Sequence, residues 1–336
     1  ECLVVCFEGS GLNETMSIFK VINNKWTKLA QSKLPHSPGR FYELATQVLG
    51  FNLYRHAGKV TGLAAFGDSN KAYAQIKDLL SVRDENLILN VDKFFKWQVA
   101  YSLTRKLPKE ISSFSKEDIA AAFQRRLEEC IAEIIKRVAK DTGIKKLAIT
   151  GGVAANVKLN QKLHELPEVE EIHIHQAMGD DGLAVGAGLR VASKLGFITP
   201  RPSTVYFGPD FSEQEILDAL KNKSLAYTKE KNIAKTVAKL IAEGKVVARF
   251  NGRMEYGPRA LGNRAILYKT TDKSINDWLN KRLKRTEFMP FAPVTLDKYA
   301  SECYKHLTGA EYPARFMTIT FDCTEYMKKT SPAVVH

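Results

Sequence analysis

Residues 147–159 read LAITGGVAANVKL, in which a short apolar run leads into two glycines and then into a helical segment. The run 147–150 predicts a buried strand, and the residues after Asn156 predict a helix. A strand, a glycine turn and a helix N-terminus in this order present unpaired backbone N–H groups to a phosphate. The stretch therefore predicts alternating strand and helix with a nucleotide site at the turn, and its candidate binding residues are Gly151, Gly152 and Asn156.

A second glycine-containing turn follows the next predicted strand, at 171–175. It reads GDDG at 179–182, and the helix after it is rich in small residues. Small residues at these spacings let a helix approach a neighbouring element or a nucleotide closely. The candidate nucleotide-binding residues here are Gly179, Gly182 and Gly186.

His173 and His175 lie on one face of that predicted strand, ahead of Asp180. Two imidazoles and a carboxylate are suitable ligands for iron or zinc. Ordinary core or surface positions for both histidines are the alternative.

The stretch 249–267, RFNGRMEYGPRALGNRAIL, sets three arginines among three glycines, and we call it the arginine loop. Glycine permits positive φ and close approach, while guanidinium groups offer planar forks of donors that match phosphate and carboxylate oxygens. Pro258 restricts the turn that precedes Arg259. The pattern indicates an anion-binding segment, with a solvated basic loop as the alternative, and the arginines concerned are Arg253, Arg259 and Arg264.

Two predicted strands at the start of the chain, 2–7 and 16–21, are joined by a turn that carries Glu8. Such a carboxylate either belongs to a metal or phosphate site or is solvated.

Further on, residues 58–67 read GKVTGLAAFG, but no Ser or Thr follows Lys59 and the four-residue gap of a Walker A loop is missing. Ser115 predicts the N-cap of a long helix that ends near residue 140.

Composition limits the class of protein. The 336 residues are 44% apolar, enough for two cores, and no apolar run is long enough for a membrane span or a signal peptide, so we expect a soluble cytoplasmic protein. The five cysteines form no CxxC pair, which argues against a zinc site and a disulfide framework.

Of the net charge of +13, +8 lies in residues 245–285, which contain eleven Lys and Arg and three acids. This local charge suits small polyanions at least as well as nucleic acid.

Three phrases, in this order, resemble those of the antibiotic and nodulation-factor O-carbamoyltransferases: GKVTGLAAFG, TGGVAANVKL with GDDGLAVGAG, and NGRMEYGPRALGNR. The resemblance covers essentially the whole chain and implies an α/β (α+β) fold. Residues 1–198 would form part of an actin-like ATPase (ASKHA-type) domain, 199–204 a linker and 205–336 a YrdC-like domain. The chain would then be a fragment, truncated at both ends.

The family resemblance also implies a division of work. The YrdC-like domain would make carbamoyl adenylate from ATP and carbamoyl phosphate, and the actin-like domain would pass the carbamoyl group to a hydroxyl of a small molecule. Lys59 and Gly62 would lie near the nucleotide cleft. Glu8 and Asp180 would bind a divalent metal, Fe or Mg, with histidine ligands from an HxxxH-like motif that precedes this chain.

The same resemblance implies roles for the arginine loop and its surroundings. Arg253, Arg259 and Arg264 would be catalytic, and the residues in contact with carbamoyl phosphate or ATP would be Arg249, Arg253, Glu255, Arg259, Asn263 and Arg285. Where the family phrase FRPFAP often has arginine, this chain has Met289.

Two other functions remain open. A tRNA threonylcarbamoyladenosine-type enzyme has phrases similar to TGGVAANVKL, but the arginine loop fits it poorly. A non-catalytic nucleotide-binding or interaction module is the alternative from another class, because Glu8 stands where the family usually has Asp and Met289 replaces an arginine.

Overall fold

The structure is a computed structural model, and it describes residues 1–198, 200–284 and 290–335. The predicted ligand contact of Arg285 and the substitution at Met289 lie outside the described residues.

The described strands, in chain order, are β1 (Cys2–Phe7), β2 (Glu14–Ile22), β3 (Lys25–Lys33), β4 (Leu80–Arg83), β5 (Asn86–Leu89), β6 (Lys146–Thr150), β7 (Glu171–Ile174), β8 (Val247–Phe250) and β9 (Arg264–Leu267). The described α-helices are α1 (Pro38–Val48), α2 (Ala57–Ala64), α3 (Ser69–Ile76), α4 (Val91–Thr104), α5 (Lys116–Thr142), α6 (Val157–His164), α7 (Leu183–Lys194), α8 (Glu213–Asn222), α9 (Ile233–Ala242), α10 (Ser274–Arg282), α11 (Ala300–Cys303), α12 (Glu311–Ala314) and α13 (Glu325–Thr330).

Five strands form a mixed sheet in the order β3-β2-β1-β6-β7. β1 is antiparallel to β2 and parallel to β6, which is in turn parallel to β7. Alternate residues of β1, namely Leu3, Val5 and Phe7, enter the core. Because β1, β6 and β7 are parallel, their C-terminal ends meet at one edge of the sheet, where open α/β sheets commonly bind ligands.

The longest helix, α5, supports this sheet. Its N-cap Ser115 accepts the N–H of Asp118 at 3.0 Å, and Gly143 ends it with a φ of +68°. Phe123 and Leu127 are fully buried on the face that α5 turns to the core, and the helix packs against α2 and α3. The predicted long helix is confirmed.

The described residues after the predicted linker bury much less apolar surface. β8 and β9 pair antiparallel and form the two sides of the arginine loop, while α8 and α9 contain no buried residue. A small cluster of Ile275, Leu279 and Ala333 is a second described core.

Residues 309–321, which we call the return segment, pack on the first part of the chain. Ala310 and Ile319 belong to the main core. The Gly309 carbonyl accepts the N–H of Ile172 at 2.9 Å, and the Thr318 carbonyl accepts Nδ2 of Asn160 at 2.7 Å. The predicted α/β class is confirmed, and the predicted domain boundaries stay a prediction.

Among the helices of the described residues, none is both long and apolar enough to cross a membrane.

Candidate functional site

The turn after β6 (residues 151–156), which we call the glycine turn, lies against β1. Gly151 has a φ of +97°, and a Cβ there would lie 2.1 Å from the carbonyl oxygen of Phe7. Its N–H donates to the Met178 carbonyl at 2.7 Å. Only glycine fits this backbone and this space, so the ends of β1 and β6 and the loop after β7 are held close together.

Glu8 follows β1 and lies beside the glycine turn. Burial raises the pKa of its carboxyl, the charge of Asp180 raises it further, and backbone N–H groups of Gly152 and Gly9 donate to it and partly oppose the shift. The charge of Asp180 therefore acts on Glu8, and the two carboxylates predicted to bind metal come from separate turns at this edge of the sheet.

The turn at 179–182 completes this edge of the sheet. A Cβ on Gly179 would lie 3.9 Å from the α-carbon of Gly152, so the two turns are in contact. A Cβ on Gly182 would lie 2.1 Å from the Ala177 carbonyl oxygen, which explains glycine at this position. Asp180 is exposed.

These carboxylates fit magnesium better than iron. In the described residues no group of three or more His, Cys, Asp or Glu side chains gathers that could hold a metal ion by itself. Magnesium often binds through one or two carboxylates together with substrate phosphates, whereas iron and zinc normally take imidazole nitrogens as well. His173 stacks on Tyr312 with ring centroids 5.0 Å apart, and His175 Nδ1 accepts the Ala177 N–H at 3.1 Å. Neither histidine forms a metal site with Asp180 in the described chain.

The arginine loop is organised by Glu255, which is buried. Its Oε1 accepts the backbone N–H groups of Leu261, Asn263 and Arg264 at 2.9, 2.7 and 3.1 Å. Burial alone raises the pKa of this carboxyl, but the backbone donors outweigh burial and hold the pKa below its ordinary value. Glu255 was predicted to contact ligand; in the structure it shapes the loop.

Arg264 and Asn263 also serve the loop. The Arg264 guanidinium lies 3.6 Å from the ring centroid of Phe250 and donates to four backbone carbonyls, of which the closest is that of Asn251 at 2.9 Å. Nδ2 of Asn263 donates to the Arg253 carbonyl at 2.8 Å. These contacts occupy both terminal nitrogens of the Arg264 guanidinium with backbone carbonyls. Arg264 was predicted to be catalytic.

Arg259 behaves differently, because it reaches the glycine turn. Its Nη2 donates to the Ala155 carbonyl at 3.2 Å, and burial lowers its pKa. Next to it, Gly257 has a φ of +102°, and a Cβ there would lie 2.8 Å from the Gln176 carbonyl oxygen. The structure thus brings one of the predicted arginines to the predicted nucleotide turn.

The other predicted residues are exposed or lie within helices. Arg249 and Arg253 are exposed, and Gly186 lies in the exposed helix α7. Lys59 and Gly62 are part of α2 and not of a loop. The indirect link from α2 to the site is Thr61, whose hydroxyl lies 2.8 Å from the Tyr42 hydroxyl.

That link continues through a buried polar chain that the sequence did not indicate. The Tyr42 hydroxyl donates to Gln124 Oε1 at 2.6 Å, and Gln124 and Asn156 exchange two hydrogen bonds at 2.9 and 3.1 Å. Asn156 also caps α6 by accepting the Leu159 N–H at 3.0 Å. Asn156 was predicted to bind nucleotide. In the structure its side chain bonds to Gln124 and to the first turn of α6, and so supports the end of the glycine turn.

Fold and site geometry place the chain among α/β proteins with a glycine turn at the C-terminal edge of parallel strands. The chain belongs to the carbamoyltransferase family: the family model Carbamoyltransferase N-terminus matches residues 1–189, and Carbamoyltransferase C-terminus matches residues 238–336. The family predicted from the three sequence phrases is confirmed.

Several curated relatives are about one third identical to this chain. The uncharacterized protein MJ1051 of Methanocaldococcus jannaschii is 33% identical over 100% of this chain and 65% of its own length. Nodulation protein NolO of Bradyrhizobium diazoefficiens is 32% identical over 90% of this chain and 56% of its own length. The chain thus spans about half to two thirds of the curated relatives it matches. The crystal structure of T. kodakarensis HypF matches with a TM-score of 0.36 and 16% identity, over 58% of this chain and 34% of that chain.

Proposed function

We propose that this chain is part of an O-carbamoyltransferase that makes carbamoyl adenylate from ATP and carbamoyl phosphate and passes the carbamoyl group to a hydroxyl of a small molecule. The observation that supports this most is the contact of Arg259 with the glycine turn in a member of the carbamoyltransferase family. Backbone N–H groups beside a guanidinium suit the phosphates of ATP.

Each group in the site has a proposed task. Phosphate oxygens bind beside the glycine turn, and Arg259 stabilises the negative charge that develops on the leaving phosphate. Such preorganised electrostatic stabilisation is usually the largest contribution to the rate. Arg249 and Arg253, both exposed on the arginine loop, are proposed to contact carbamoyl phosphate.

Glu8 and Asp180 are proposed to hold Mg²⁺. When bound, this ion would neutralise charge on the phosphate oxygens and polarise the reacting group. The role of the chain's own residues is to fix the two carboxylates: the N–H groups of Gly152 and Gly9 orient Glu8.

The test is the release of pyrophosphate from ATP by the complete protein that contains this chain, with and without carbamoyl phosphate. We expect release only when carbamoyl phosphate is present. Absence of such release would contradict the proposal and favour a nucleotide-binding module instead. A second assay offers tRNA and a panel of hydroxyl compounds as acceptors, and carbamoylation of a hydroxyl compound is the expected result.

The proposed metal ligand has its own test. Asp180→Asn should lower the metal content of the complete protein and abolish carbamoyl transfer. Elemental analysis of the purified variant checks this, and an unchanged metal content would show that Asp180 is not a ligand. The matched control is Asp84→Asn, which changes an aspartate in the turn between β4 and β5.

A further inference from the structure

The helix α7 is apolar over most of its surface, yet none of its residues is buried. Phe197 and Ile198, which follow it, are exposed as well. A helix of this composition is normally found inside a protein, because burial removes apolar surface from water. The large apolar side chains of the helix and its C-cap are between 41% and 69% exposed, namely Leu183, Val185, Leu189, Val191 and Leu195.

The apolar side of α7 consists of two ridges with a groove between them. Residues four apart lie on the same side of a helix, so Val191 and Leu195 form one ridge, and Val185 and Leu189 form the other. The groove between the ridges contains small residues, namely Ala184, Gly188 and Ala192. A Cβ on Gly188 would meet no described atom from outside the helix within 4 Å, so the groove is open. Ridges beside an open groove are the surface on which a neighbouring element packs.

A second copy of this chain is a poor cover for α7. The chain has a net charge of +13, and Arg190 and Lys194 place two further like charges on α7 itself. A large net charge of one sign opposes the association of identical molecules. Association of two molecules also costs translational and rotational freedom, which a cover from the same polypeptide does not lose.

The curated relatives contain enough polypeptide to supply such a cover. MJ1051 matches this chain with 65% of its own length and NolO with 56%, which leaves 35% and 44% of these proteins outside the match. A part of this size has room for elements that pack on both ridges of one helix.

We propose that α7 is the docking surface for the part of the complete protein that lies outside residues 1–336, and that an apolar element of this part packs along the groove. The inference rests on the proposed function only in that this chain is part of a longer protein. Because α7 begins directly after Gly182, a part docked on α7 lies next to the turn that carries Asp180. Docking on α7 therefore also restrains this turn.

The test is maleimide labelling of cysteine variants of the complete protein, with the labelled peptides quantified by mass spectrometry. Val185→Cys and Val191→Cys change the side-chain volume little and probe one ridge each. Val99→Cys, in α4, is the matched control, because Val99 and Val191 are 52% and 56% exposed in the described chain. The two α7 variants should react at least about tenfold more slowly than the control, because the cover must open before the reagent reaches them.

A second measurement needs no substitution. Carbene footprinting, in which a photoactivated diazirine labels exposed side chains, should modify residues 183–195 of the unmodified complete protein less than residues 91–104. Light scattering under the labelling conditions should give the mass of a monomer.

Two results would overturn the inference. Equal labelling of Val191→Cys and Val99→Cys, with equal footprinting of the two helices, would show that α7 is exposed in the complete protein. Protection of α7 that disappears on dilution, together with the mass of a dimer, would show that a second copy covers it. Neither result concerns pyrophosphate release or carbamoyl transfer, so the proposed function stands or fails by its own assay.

Discussion

Glu255 determines the shape of the arginine loop, because one of its carboxylate oxygens accepts three backbone N–H groups. Arg264 is likewise occupied by backbone carbonyls, whereas Arg259 reaches the glycine turn in the described part of the chain. The sequence predicted that these residue types gather around an anion-binding loop. It could not distinguish their tasks, because all three arginines have similar glycine-rich neighbours and their partners lie far away in the chain.

Glu255→Gln should lower the free energy of unfolding by about 1–3 kcal/mol, since it replaces charge-assisted bonds with neutral ones. The difference in stability between the wild type and this variant should shrink in acid. Because the folded-state pKa of Glu255 is depressed, its stabilisation is present above the unfolded pKa and disappears as pH falls through the folded pKa. Urea titrations at pH 7 and at progressively lower pH measure both effects. Glu302→Gln, at an exposed position, is the control, and equal losses in the two variants would contradict the role of Glu255.

The imidazole of His173 predicts a second pH dependence of stability, which in this case comes from a basic group. Burial, then the charges of Arg201 and His175, lower the pKa of its imidazole to about 4. The unfolded chain therefore binds a proton that the folded chain rejects, so stability is full above the ordinary pKa of 6.5 and is lost as pH falls toward 4. Between pH 7 and pH 5 this group should lower the free energy of unfolding by about 1–2 kcal/mol.

His173→Phe keeps a ring against Tyr312 and removes the titration. Urea unfolding of this variant should lose about 1–2 kcal/mol less between pH 7 and pH 5 than the wild type does. His56→Phe, which replaces another half-buried histidine whose Nδ1 accepts the Asn52 N–H, is the comparison for the change of ring alone. The same slope for His173→Phe and the wild type would show that His173 titrates normally.

At the scale of elements, local signals in the sequence predicted much of the framework. Ser115 and Gly143 bound α5 as capping chemistry requires, and the glycine turn after β6 lies where the strand–turn–helix pattern places it. The pairing of β1 with β2 follows from the predicted turn between them, but the more distant strand neighbours were not predictable in this way. β1 pairs with β6 across more than a hundred residues, and such pairing depends on the packing of the whole core. The polar chain from Tyr42 to Asn156 was missed for the same reason.

Asn156 tests that chain. Asn156→Ala should destabilise the protein by about 2–4 kcal/mol, because it removes the N-cap of α6 and leaves Gln124 buried without its partner. Asn156→Ser retains a capping oxygen and should cost less. Thermal and urea denaturation measure the difference, and equal stabilities of the two variants would show that the cap contributes nothing. A wild-type stability for Asn156→Ala would contradict the network as a whole.

At the scale of the whole molecule, the return segment joins the two halves. Residues from the region predicted as a separate YrdC-like domain complete the core of the first part, through Ala310 and Ile319. Linker composition at 199–204 predicted a division of the chain, but linker composition says nothing about a later segment that packs back. The return segment thus ties the part of the chain after the arginine loop to the first part, which carries the glycine turn.

Ile319→Ala should lower the free energy of unfolding by about 2–5 kcal/mol, the usual cost of truncating a buried isoleucine. Hydrogen exchange should show the loss of protection in α6 and β7, which contact the return segment. Ile275→Ala, in the small second cluster, is the matched control and should leave those amides protected. Loss of protection limited to the residues after the linker in both variants would show two independent domains.

The central claim is that one phosphate site is built from the glycine turn and Arg259. The most direct measurement is a crystal structure of the complete protein with a non-hydrolysable ATP analogue. We expect phosphate oxygens beside the glycine turn and within hydrogen-bonding distance of the Arg259 guanidinium. A nucleotide bound elsewhere, with Arg259 still donating to the Ala155 carbonyl, would contradict it.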